Sequence, residues 1–161
     1  MESGRKSRLR VLQGYDIPAE GRGFAALMLL VRITGRLTES LGDVAKPHGL
    51  SAAQFEVLLC LSHGEGISQQ ELADRLLVTK GNICVAVQKM EAAELLERRT
   101  DAVDQRVQRL YLTAAARRVL AKGKPTLDAR FSALLKALTL PEQKTLHDLL
   151  RRLDAAGEDG A

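Results

Sequence analysis

The stretch ISQQELADRLLVTKGNICVAVQKM, residues 67–90, contains two closely spaced helix starts, and their spacing decides the fold. In the first, Ser68 is a hydroxyl cap, Glu71 follows three residues later, and Ile67 and Leu72 can staple the entry of the chain. In the second, Thr79 is the cap, Val78 and Ile83 form the staple, and Asn82 replaces the usual glutamate or glutamine. Because Thr79 already caps the second helix, the first must end near Leu76 or Leu77. Two short helices joined by so tight a turn make a helix-turn-helix, although the glycine frequent in such turns is missing. The same signature stands upstream in LSAAQF, with Ser51 as cap, Gln54 as its partner, and Leu50 and Phe55 as staple. Each cap contributes about 1 kcal/mol.

The second helix opens on Lys80, Gly81 and Asn82, and the last two are poor helix formers. At about 100° per residue, Ile83, Ala86, Val87 and Met90 gather on one side, which must face the core. Gly81, Val85 and Gln88 lie opposite, with Cys84 on one edge and Asn82 and Lys89 on the other. A DNA major groove accepts such a face. Nothing bulky prevents close approach, Asn82 and Gln88 can pair with adenine edges, Val85 can meet a thymine methyl, and Lys80 lies near guanine or phosphate. A solvated face whose glycine packs on a neighbouring element would use the same residues.

Beyond this helix, LLERRTDAVDQRVQRLYLT, residues 95–113, changes period. Leu110 and Leu112 alternate with Arg109 and Tyr111, Leu96 to Thr100 is a second extended segment, and Asp101 to Gln105 between them is polar and turn-like. Two strands with a charged tip directly after a helix-turn-helix make a wing. At its tip Asp104 and Arg106 are two residues apart, which allows the carboxylate to hold the guanidinium as it enters a narrow minor groove. An ordinary exposed ion pair would look the same.

Outward from this core, Phe24 to Lys46 carries Leu27, Leu30, Val31, Leu37, Leu41 and Val44 on a broad apolar face, stopped by Pro47 and Gly49. Residues 1–23 read as a charged, partly flexible arm. Downstream, Thr113 can cap a helix to about Lys122, which can continue past Gly123 and Pro125 with a kink or break. Leu127, Phe131, Leu134, Leu135 and Leu138 recur at helical spacing, and Pro141 suits the first turn of a last helix through Leu153. The outer helices are too apolar on one face to stand alone, and either an intramolecular bundle or a dimer interface would cover them. The end of the chain, AAGEDGA, is expected to fray.

Length and composition agree with this reading. The 161 residues are 45% apolar but only 3% aromatic, which favours helices packed on helices and a mostly α chain with a small β wing, an α+β class. Cys60 and Cys84 form neither a CxxC pair nor a disulfide framework, so a reducing cytoplasm is expected. The basic N-terminus lacks the apolar run of a signal peptide, and Ala25 to Val31 falls far short of the ~20 residues of a membrane span. His48, His63 and His147 are far apart, and no phosphate loop, zinc spacing or nucleophile elbow is present, so neither an enzyme nor a cofactor is expected. The formal charge of +4 decides little, and residues 68–112 hold seven cations and seven acids. DNA binding therefore requires these charges to be segregated.

Over about Phe24 to Leu153, the chain resembles the MarR family of bacterial winged-helix transcription regulators. The residues that carry the likeness are LSAAQFEVLLCL, ISQQELADRLLVTKGNICVAVQKMEAAELLERR, DQR and YLT. The resemblance implies a homodimer with terminal helices intertwined, reading a palindromic operator with half-sites about one helical turn apart, often as a repressor released by a small-molecule effector. On that pattern residues 24–49 are an N-terminal dimerisation helix, 50–113 the winged helix-turn-helix, 114–155 the C-terminal dimerisation helices and 156–161 a tail. The residues expected at the DNA are Ser68, Thr79, Lys80, Gly81, Asn82, Val85, Gln88, Lys89, Asp104 and Arg106. Val85 stands where members commonly carry a polar or basic residue, and Gln105 replaces a frequent second arginine. Two alternatives stay open: a winged helix kept as a protein-binding module, which the neutral charge count favours, and a redox-responsive regulator using Cys84.

Overall fold

A computed structural model describes residues 21–158, so most of the expected arm and the end of the tail lie outside it. The described residues fall into two compact units, one through Leu120 and one from Ala121 onward. In chain order the elements are α1 (Arg22–Ala45), α2 (Ala52–Ser62), β1 (Ile67–Ser68), α3 (Gln69–Arg75), α4 (Lys80–Ala92), β2 (Leu96–Thr100), β3 (Gln108–Leu112), α5 (Ala114–Leu135) and α6 (Leu140–Glu158). The fold is mostly α with one small antiparallel sheet of order β1-β3-β2.

Each expected cap forms. Ser51 and Ser68 both close full capping boxes, with Gln54 and Glu71 reaching back to the cap residue's N–H, while Thr79 accepts from the N–H of Asn82 at 3.3 Å. Both helices of the helix-turn-helix end in Schellman motifs. After α3, the N–H groups of Leu77 and Val78 donate to the carbonyls of Asp74 and Ala73, and after α4 those of Glu94 and Leu95 donate to Glu91 and Met90. The motif needs a left-handed residue, and with no glycine in place Leu77 takes φ 52° and Glu94 φ 55°. The turn without glycine is thus made at a backbone cost.

The core of the first unit is where three periodicities converge. Phe55, Leu58 and Leu61 of α2, Leu72 of α3, Val87 and Met90 of α4 and Leu110 of β3 are fully buried. The hairpin pairs Leu96 with Leu112 through Thr100 with Gln108, as the alternation predicts. The strand β1 is not legible in the sequence. In sequence its two residues are the staple and cap of α3, and they pair with Leu110 and Arg109 because the capped start of α3 lies along β3.

Two expected boundaries of the outer helices shift, at the start of α1 and the end of α6. α1 begins at Arg22, inside the expected arm, and within one chain its wide apolar face is not buried: only Ala25, Val44 and Ala45 are, while Phe24, Leu27 and Val31 are 66%, 50% and 56% exposed. Its Gly42 approaches α2, where an added Cβ would lie 3.9 Å from that of Ala52. Of the two readings for the segment after Thr113 the continuous one holds: α5 runs past Gly123 with Pro125 inside it, so helical context overrides the loss of one backbone bond. α6, whose start is fixed by Glu142 accepting from Thr139 N–H at 2.7 Å, extends to Glu158 and takes most of the expected frayed tail into the helix. No helix of the described residues is long and apolar enough to cross a membrane.

Candidate nucleic-acid interface

The α4 helix divides as its wheel predicts. Ile83, Val87 and Met90 are buried, while Thr79, Lys80, Gly81, Asn82, Gln88 and Lys89 are exposed and Val85 is 52% exposed. The caps differ in a way that bears on binding. Gln54 and Glu71 spend their side chains on closing capping boxes, whereas the Asn82 amide makes no hydrogen bond among the described residues. Its side chain is one methylene shorter than theirs, and it stays available to a partner. Gly81 answers a second point: a Cβ there would meet nothing within 4 Å, so no neighbouring element requires the glycine. Cys84 is half-buried, 3.8 Å from Gln88 Nε2.

The wing tip is built on Asp101, a residue that sequence reading did not single out. Its Oδ1 accepts from the N–H groups of Val103 and Asp104 at 2.9 and 3.0 Å, an Asx-type turn that folds the loop onto itself. Asp104 continues the pattern by accepting from the backbone N–H of Arg106 at 3.0 Å. The expected hold of Asp104 on the Arg106 guanidinium is therefore replaced by a hold on its backbone, because a separation of two residues brings the N–H nearer than the end of a long side chain. The Arg106 side chain is exposed and makes no ion pair among the described residues. Three hydrogen bonds lower the Asp101 carboxyl from 3.8 to about 2: the Asp104 N–H first, then the Arg109 side chain, then the Val103 N–H.

Part of the charge of residues 68–112 is neutralised by pairing. Arg98 meets Glu91 at 3.2 Å, Arg99 pairs with Glu97, and Arg109 bonds both Asp101 at 2.7 Å and Glu71 at 2.9 Å. Four of the acids are thereby neutralised by three arginines. Asp74 accepts from Gln70 at 2.8 Å, and Asp104 faces the wing backbone. Arg75, Lys80, Lys89 and Arg106 make no ion pair among the described residues. Two of these, Lys80 and Arg106, line a cleft of about 470 Å³ together with Ser68, Glu71, Gln108 and Arg109. Cations outnumber carboxylates in this cleft, and Ser68, half-buried, spends its hydroxyl on the N–H of Glu71 at 3.1 Å.

A helix-turn-helix followed by a hairpin wing, with a third strand closing the sheet, defines a winged-helix protein. Residues 48–107 match the family model described as MarR family. Over 120 residues, 74% of this chain and 84% of the relative, the sequence is 30% identical to the transcriptional regulator HosA of Escherichia coli O127:H6. The fold matches the crystal structure of a MarR-family transcriptional regulator from Silicibacter pomeroyi with a TM-score of 0.74 at 29% identity, covering 81% of this chain and 88% of that one. It also matches the transcriptional repressor CouR, solved bound to a 23-mer DNA duplex, with a TM-score of 0.71 at 27% identity, covering 83% and 95%. The chain belongs to the MarR family of winged-helix transcription regulators.

Proposed function

We propose that the chain binds double-stranded DNA as a homodimer, with α4 in the major groove and the wing tip at the adjacent minor groove, and represses transcription from a palindromic operator. The observation that carries this reading is the exposed face of α4: an open glycine, Gln88, and the Asn82 amide, Lys80 and Lys89, which have no hydrogen-bonded or ion-pair partner among the described residues. Arg106, exposed and without an ion pair among the described residues, stands at a tip stiffened by Asp101 and Asp104 and suits insertion beside the sugar-phosphate backbone. The CouR structure shows a related fold seated on a duplex. For the dimer, support comes from apolar side chains left exposed within one chain: Phe24, Leu27 and Val31 on α1, and Leu140, Leu149 and Leu153 on α6. In this reading residues 24–49 and 114–155 form the dimerisation region, and 50–113 the DNA-binding domain. Release by a small-molecule effector is carried by the family resemblance.

Two substitutions test the assignment of roles. Asn82→Ala is expected to cost about 1–3 kcal/mol on the preferred operator and to relax base choice at one position. Arg106→Ala is expected to weaken many sequences alike and to lower the salt dependence. Both are read by titrating a panel of duplexes at several salt concentrations. A wild-type base preference in Asn82→Ala would remove Asn82 from base recognition.

A further inference from the structure

We propose that Arg109 is a positioning residue that ties the wing to the start of α3 and thereby sets where the wing tip stands relative to α4; the consequence for binding rests on the DNA-binding reading above. Arg109 lies on the central strand β3, with Ser68 of β1 opposite it on one side and Arg99 of β2 on the other. Two arginines directly opposed would repel. Arg99 is drawn away by Glu97 and by the Tyr111 ring, 4.3 Å from its guanidinium carbon. Arg109 instead uses its fork on two carboxylates from different parts of the chain. Its Nε donates to Asp101 Oδ2 at 2.7 Å and its Nη1 to Glu71 Oε2 at 2.9 Å.

Each carboxylate is at the same time holding backbone. The other oxygen of Asp101 binds the N–H groups of Val103 and Asp104, and Glu71 Oε2 accepts from Ser68 N–H at 2.7 Å. A continuous polar chain therefore runs from the cap of α3 through Glu71, Arg109 and Asp101 to the backbone of the wing tip. The Arg109 and Asp101 side chains retain only 30% and 18% of their exposure, so water screens their pairing less than it would an open pair. A lysine at this position would keep the charge but could not direct two donors at once.

Near-isosteric variants isolate this chain from the local structures it touches. Glu71→Gln retains the one oxygen that serves both the capping box and Arg109, as Gln54 already serves Ser51, and so removes the charge of the contact while keeping the cap. Asp101→Asn retains the oxygen that accepts from Val103 and Asp104. Arg109→Lys and Arg109→Gln remove the fork, with and without the charge. Amide exchange in the free protein reads the tie directly: about tenfold faster exchange at Val103 and Asp104 is expected in both Arg109 variants and a smaller increase in Glu71→Gln, which loses only the charge of its contact, with the double variant Glu71→Gln/Arg109→Gln no worse than Arg109→Gln. Hydroxyl-radical footprints on DNA selected by the wild-type protein then read the consequence. In the Arg109 variants, protection under the wing at saturating protein is expected to fall to about a tenth of its wild-type level while protection around α4 is retained. Unchanged exchange overturns the tie. Faster exchange with an intact footprint under the wing overturns the positioning role, leaving Arg109 as a stabiliser of the hairpin. A wild-type protein that selects no DNA overturns the binding reading instead, and the exchange measurement still decides the tie.

Discussion

Leu77 shows the cost of a left-handed residue without glycine: it is 88% exposed, holds φ 52°, and ends α3 through a Schellman motif. Relieving a left-handed L-residue recovers about 1–2 kcal/mol, and the greater freedom of glycine in the unfolded chain returns about 0.4–1 of it. Leu77→Gly should therefore raise unfolding stability by about 0.5–1 kcal/mol in urea titrations, and a lower midpoint would contradict the assignment. Asp101 gives a second residue-scale test. Its carboxyl is lowered from 3.8 to about 2, so the folded wing prefers the ionised form. Its contribution is complete above about pH 4 and is lost as pH falls through about 2. The amide signals of Val103 and Asp104 should report a midpoint near 2, and a midpoint near 4 would show that the Asx turn does not hold. Residue spacing made Ser51, Ser68 and Thr79 legible as caps because cap and backbone lie within four residues of each other. It could not show Arg109 with Glu71, 38 positions apart, since only the pairing of β1 with β3 brings them together.

Among the elements, α4 was the most legible, because one apolar period fixed both its buried stripe and its exposed face. What the period left open was whether Gly81 packs on a neighbour or is kept free for a partner. The open space at its Cβ position favours the second. Gly81→Ala should then stabilise the fold by about 0.4–1 kcal/mol while weakening operator binding, an opposition that paired thermal-melt and binding measurements would reveal. Loss of stability together with binding would place Gly81 in the packing instead. The wing was legible as two strands and a polar tip, but its internal chemistry was not. The Asp104–Arg106 proximity was visible in sequence, yet the acceptor found the backbone N–H, and the residue that organises the tip, Asp101, looked like one of several acids in a polar loop.

At the scale of the molecule, the balanced charge of residues 68–112 looked like an obstacle to DNA binding, and sequence could not resolve it because pairing depends on tertiary neighbours. Four acids are engaged by Arg98, Arg99 and Arg109, while Lys80, Lys89 and Arg106 around α4 and the wing make no ion pair among the described residues. The apolar faces of α1 and α6 were legible as periodicity, but a period cannot say whether a face is covered within one chain or by a second copy. If two copies associate, their two α4 helices must read related half-sites. The most direct test is selection of bound fragments from random duplex DNA by the purified chain, followed by titration of the enriched sequence between about 50 and 200 mM salt. An enriched palindrome with half-site centres about one helical turn apart is expected, with an affinity that falls by about a hundredfold or more over that range. No enrichment, or binding indifferent to salt, would contradict the proposed operator binding.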